Sequence, residues 1–198
     1  AKNGGAAYIR GNNLTITDVD AQNNTATEYG GAIYADGNHL VLDGIKFINN
    51  NATRRGGAIF IYGDNNTVEN SNFYNHLAHE EGGAIYVDGK NTTIGNSTFT
   101  NNTSWDDGGA ITWEGDLGRL YNITCLNNSG IGNTHTSSGG TISIYGSNLT
   151  MDTINITHGY VTETDRSRSA KGGGIFLTGN NVNITNVAFE DCFTNSTG

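Results

Sequence analysis

Apolar and polar side chains alternate along this chain in runs of a few residues, and the runs return at a fixed interval. Residues 82–89 read GGAIYVDG, and close variants begin at Gly30, Gly56, Gly108, Gly139 and Gly172, with a weaker copy at Gly4. The first five glycine pairs are spaced by 26 residues, and the last two units follow at spacings of 31 and 33. Within each unit the period is two, and no helical period survives. The fourth place is Ala7, Ile33, Ile59, Ile85, Ile111, Ile142 and Ile175. The eighth is always glycine, the thirteenth is aliphatic (Ile16 to Ile184), and the eighteenth runs Ala21, Phe47, Phe73, Phe99, Cys125, Ile156, Phe189. Each unit therefore predicts three short strands separated by turns, with glycine where the backbone needs unusual angles.

A unit of this kind cannot bury its apolar face alone, so the units must stack. The expectation is an all-β fold: a right-handed single-stranded parallel β-helix of about seven rungs, each of three short strands, spanning 1–198 as one domain. Stacking at roughly 4.8 Å per rung gives a rod core about 34 Å long. Right-handedness follows from the hand of parallel crossovers. Asn23, Asn49, Asn75, Asn101 and Asn127 recur at one place and are expected to form an inward amide ladder at a corner. Cys125 takes a core place, and Cys192 lies two rungs further on, beyond disulfide reach, so no bridge is expected.

Net charge is −9 with a pI of about 4.8, and only 15% of residues are charged. That balance argues against nucleic acid as a partner and permits cations and uncharged glycans. No apolar run is long enough for a membrane helix, so direct insertion by this segment is not expected. Without an initiator Met or signal peptide, the chain reads as a segment of a longer protein.

The phrase GGAIY followed by FINN or FTNN resembles the GGA[ILV] and FxxN repeats of chlamydial polymorphic outer-membrane proteins. The longer run GGAIYVDGKNTTIGNSTFTNN is similar to adhesin-like surface proteins of methanogenic archaea. The resemblance extends over essentially the whole chain, although FYNH breaks FxxN and the last three units lose FxNN. It implies a β-helix at the cell surface, extracellular, as part of a large adhesin. It supplies no catalytic residues.

Outward places of the first strand carry Tyr8, Tyr34, Phe60 and Tyr86 in one column and Asp36, Tyr62, Asp88, Glu114 and Tyr145 in the next. Aromatic faces suit sugar C–H groups and carboxylates accept hydroxyl hydrogen bonds, so this face is the candidate binding surface. Plain stabilisation of stacked strands is the alternative reading. Asp88 and Glu114 on adjacent rungs also have the spacing of a retaining glycosidase pair. Before the glycine pairs, Arg54 and Arg55 stack with Glu80 and Glu81, whose far neighbours are Asp106 and Asp107. Those four carboxylates repel unless a cation such as Ca²⁺ bridges them. No other cofactor is expected. The long units add residues at 129–138 and 158–171, where His158, Tyr160, Arg166, Arg168 and Lys171 are candidate contacts for a protein partner. About fourteen N-x-[ST] sequons, including Asn13, Asn51, Asn91, Asn122, Asn148 and Asn183, are potential glycosylation sites.

The reading is a non-catalytic adhesin segment that attaches to glycans or proteins of another cell. A structural protein of an envelope layer or filament, assembling through its open β-helix ends, is the alternative. A β-helix carbohydrate-active enzyme is the third.

Overall fold

A computed structural model describes residues 1–132, 138–163 and 169–196. All regular structure among them is β, and every strand pairing is parallel. The chain coils through three sheets and returns to the same place one unit later: Ala7 pairs with Ile33, Ile33 with Ile59, Ile59 with Ile85. This is a right-handed β-helix of seven rungs. The first sheet stacks seven strands, Ala7–Ile9 through Ile175–Leu177, and the third stacks seven, Thr25–Ala26 through Phe193–Ser196. Insertions in the two long units leave this register intact, because Ile111 still pairs with Ile142 and Ile142 with Ile175.

The second sheet departs from the three-strand expectation. In the first three rungs it is broken into two short strands, such as Thr15–Thr17 and Asp20–Gln22, with Asp18 at φ 55° between them. From the fourth rung it runs continuously, as in Thr93–Thr100.

Four places per rung take left-handed backbone angles. One is the first glycine of each pair (Gly82, φ 65°), and the other three are mostly Asn. Asn is the ordinary residue that tolerates this region best. The second glycine has a different reason: a Cβ on Gly83 would overlap the carbonyl oxygen of Gly109 on the next rung. The doubled glycine thus answers two separate constraints, angle and contact.

Inside, the eighteenth-place rings stack face to face, Phe47 on Phe73 at 4.8 Å and Phe73 on Phe99 at 4.6 Å. Cys125 continues the column, buried and unbridged, and Cys192 is also free. Trp113 is fully buried, with its ring against Gly118 and its Nε1 donating to the Gly115 carbonyl at 2.9 Å. At the last rung Ile184 and Phe189, which continue core columns, are exposed, Phe189 by 55%.

The internal ladder runs one place later than the sequence suggests. Asn23, Asn49, Asn75, Asn101 and Asn127 are the left-handed corner residues, and Asn23, Asn49, Asn75 and Asn127 point to solvent. The inward column is Asn24, Asn50, His76, Asn102 and Asn128. Asn24 N–H donates to Asn50 Oδ1 (2.9 Å), Asn50 N–H to His76 Nδ1 (3.0 Å), His76 N–H to Asn102 Oδ1 (3.0 Å) and Asn102 N–H to Asn128 Oδ1 (3.0 Å). The left-handed residue turns the chain so that its successor points inward.

Candidate functional site

The outward face of the first sheet is a furrow rather than a flat platform. Its floor is the fifth-place column, where Tyr8 and Tyr34 stack at 5.0 Å, Tyr34 and Phe60 at 5.2 Å, and Phe60 and Tyr86 at 5.0 Å. One wall consists of the residues just before each glycine pair. Tyr29 tilts against Phe60 at 4.9 Å, and Arg55 lies over the Tyr86 ring at 4.8 Å while donating to its hydroxyl at 3.0 Å. The other wall is the seventh-place column. Roofed in this way, Tyr86 is only 1% exposed and Phe60 is buried, whereas Tyr34 is half-buried and Tyr8 is open. Burial pushes the Tyr34 phenol up to about 12 and that of Tyr86 further still. Only the Tyr8–Tyr34 end of the stack offers a ring to a ligand. There, Arg10 Nε donates to Asp36 Oδ2 at 3.1 Å, and Tyr8 and Arg10 also hydrogen-bond at 3.1 Å.

Beyond Tyr86 the floor narrows to Thr112 and Ser143, both buried, whose hydroxyls donate to the carbonyls of Asp107 (2.9 Å) and Ser138 (2.6 Å). Tyr145 covers them and gives its hydroxyl to Asp107 Oδ2, while Asp107 Oδ1 accepts the Ser138 N–H. Burial, then the Asp107 hydrogen bond, raises the Tyr145 phenol.

Of the four carboxylates considered for Ca²⁺, Glu80 and Glu81 are drawn to the arginines and Asp107 is turned elsewhere. Glu80 accepts from Arg54 at 2.9 Å and lies 3.5 Å from Arg55; Glu81 is 3.3 Å from Arg55; Asp107 serves Tyr145 and Ser138. Asp106 is buried. Among the described residues no three Asp, Glu, His or Cys side chains converge as metal ligands. Burial raises the Glu81 carboxyl to about 7 against the pull of Arg55, and its Oε2 is buried without a hydrogen-bond partner. The strand register places Asp88 beside Glu114. Burial and then Glu114 raise the Asp88 carboxyl above the ordinary aspartate range.

Among the described residues the loop candidates do not form one cluster. His158 Nε2 lies 3.4 Å from Asp191, Tyr160 stacks on Phe193 at 5.4 Å, and the Lys171 ammonium sits 5.8 Å from the centre of the Phe176 ring. Arg166 and Arg168 lie outside the described residues.

An open depression of about 470 Å³ lies where the first sheet turns toward the second, lined by Asp36, Asn38, Tyr62, Gly63, Asp64, Asp88 and Lys90. Three of these, Asp36, Tyr62 and Asp88, belong to the predicted face. Asn38, Asp64 and Lys90 come from the ninth place, which alignment of the units alone does not mark as functional. Also absent from the sequence reading is a second aromatic pair, His79 stacked on Trp105 at 4.1 Å.

Two family models match. One describes a right handed beta helix region and covers residues 43–134. The other is the Chlamydia polymorphic membrane protein repeat and covers residues 22–36. No curated protein and no solved structure matches the chain. Fold and repeat together point to a surface or passenger-type β-helix domain.

Proposed function

We propose that this chain is a non-catalytic, extracellular attachment segment that binds glycans or proteins on another cell through the outward face of its first sheet. The observation that carries this reading is the furrow itself. Its aromatic floor is sealed along the middle and open at Tyr8 and Tyr34, beside the Arg10–Asp36 pair, where a ring face and polar hydrogen-bonding groups meet solvent. Aromatic area with a polar rim is the composition of surfaces that bind partners. The likeness of the longer repeat phrase to methanogen adhesin-like proteins is in keeping with it. The test is binding of the whole chain to cells and a glycan array, with a Tyr8→Ala/Tyr34→Ala variant. Binding that the variant loses supports the reading. Absence of binding to any cell or glycan overturns it, and equal binding by the variant moves the contact away from this end of the face.

A further inference from the structure

Two columns flank the depression, and each changes character there. At the ninth place, side chains accept the backbone N–H of the next rung. Asn12 Oδ1 accepts from Asn38 (2.8 Å), Asn38 Oδ1 from Asp64 (2.7 Å) and Asp64 Oδ1 from Lys90 (2.8 Å). The series resumes with Asp116 Oδ1 accepting from Ser147 (2.8 Å) and Ser147 Oγ from Asn180 (3.1 Å). Lys90 alone in this column has no acceptor, so one inter-rung hydrogen bond is given up and an ammonium is placed at the rim. A departure from a local structural rule without a packing gain is where function is expected.

At the seventh place, Tyr62 is 53% exposed and its ring touches no other ring among the described residues. Asp36, on the rung before, is neutralised by Arg10. The carboxylate of Asp88, on the rung after, makes no hydrogen bond or ion pair among the described residues, although neighbouring atoms partly desolvate it. Such a carboxylate gains from an incoming hydroxyl donor.

We propose that this depression is a subsite for one uncharged, hydroxyl-rich sugar ring, seated with its C–H face on Tyr62 and its hydroxyls shared between Asp88, Asp64 and Lys90. The volume lies in the range of about 300–1,000 Å³ typical of small-molecule sites. Charge narrows the class. Asp64 and Asp88 repel a uronate or phosphate, whereas a neutral ring uses acceptors and donor alike. The proposal rests on the attachment reading and specifies the sugar that one place on the face would take.

Saturation-transfer NMR and calorimetry on the whole chain, using methyl glycosides of glucose, galactose and mannose with glucosamine and glucuronate as comparisons, test it. Transfer to at least one neutral glycoside is expected, with affinity falling about tenfold or more in Tyr62→Ala and in Asp88→Asn, and unchanged in Tyr74→Ala on the second sheet. Far-UV circular dichroism verifies that each variant keeps its β signal. No transfer to any neutral glycoside, stronger binding of glucuronate or glucosamine, or equal affinity in folded Tyr62→Ala overturns the subsite. Cell attachment without monosaccharide binding removes this subsite alone, and monosaccharide binding without cell or array attachment removes the attachment reading alone.

Discussion

His76 occupies an asparagine's place in the internal ladder, and replacing it by Asn yields the most decisive prediction. Its Nδ1 accepts the Asn50 N–H at 3.0 Å, so the ring is neutral with its proton on Nε2, and that atom is buried without a well-formed partner. A proton on Nδ1 would set one donor against another. Burial accordingly drives the imidazole down from its ordinary value to about 3. The unfolded chain takes up this proton below about pH 6.5, while the folded chain refuses it until about 3. Stability from this group is therefore complete above about pH 6.5 and is lost progressively as pH falls toward 3. At about 1.4 kcal/mol per pH unit, the loss on going from pH 7.5 to 4.5 is about 3 kcal/mol. In His76→Asn, Oδ1 can accept from Asn50, and Nδ2 can reach the Phe47 carbonyl as Asn102 Nδ2 reaches that of Phe73 at 3.2 Å. Lost ring packing against Phe47 and Phe73 offsets this, leaving the variant within about 1 kcal/mol of the native chain at pH 7.5. Urea unfolding followed by circular dichroism at both pH values measures the difference. The variant should be more stable than the native chain by about 2–3 kcal/mol at pH 4.5. Carboxylates titrate alike in both proteins and cancel in the comparison. An identical difference at the two pH values would refute the argument.

The remaining predictions concern other packing and charge sites. Glu81 works in the opposite sense to His76: its folded-state affinity for a proton is raised to about 7, so the native chain loses stability as pH rises from about 4.5 to 7. Glu81→Gln should flatten that decline in melting temperature between pH 5 and 8. In Gly95→Ala the new Cβ would overlap the Tyr121 ring, whose hydroxyl reaches Glu69 two rungs away. A loss of about 1–2 kcal/mol is expected, most of it absent when Tyr121 is already Ala. Trp113→Ala should cost about 3–5 kcal/mol and abolish the blue-shifted component of tryptophan fluorescence, leaving the half-exposed Trp105 signal. Ultraviolet titration of the tyrosines should show Tyr34 ionising only near 12, above the ordinary phenol range, because burial disfavours its anion.

The architecture was legible because every rung repeats its constraint. A period of 26, a fixed glycine pair and an alternating pattern leave a parallel coil as the arrangement that buries Ile33, Ile59 and Ile85 together. The ladder was misplaced by one residue because composition marks both Asn of each NN pair, and only the left-handed angle of the first decides which one turns inward. Strand alternation marks the binding face as outward but says nothing of what leans across the outside. Tyr86 is outward in that sense and still sealed, since Arg55 from the previous rung lies on it. Ion pairing of Arg54 and Arg55 with Glu80 and Glu81 was visible in the repeat, while the diversion of Asp107 to Tyr145 depends on a seventh-place ring reaching back. Lys90 stands out only once its column is known to be a hydrogen-bond series.

The seam between the third sheet and the next glycine pair has a consequence for how such a chain diversifies. At 31 and 33 residues the long units exceed the others, and all the excess falls in this seam, yet Ile111, Ile142 and Ile175 remain in register. Elsewhere in a rung, an added residue would shift a left-handed corner onto a side chain less suited to it and carry a whole column out of line with its neighbours. Selection can therefore lengthen, charge or reshape this one border freely while the coil beneath stays constant. New surface accumulates along a single ridge of the rod, and variants would differ in what they touch rather than in whether they fold.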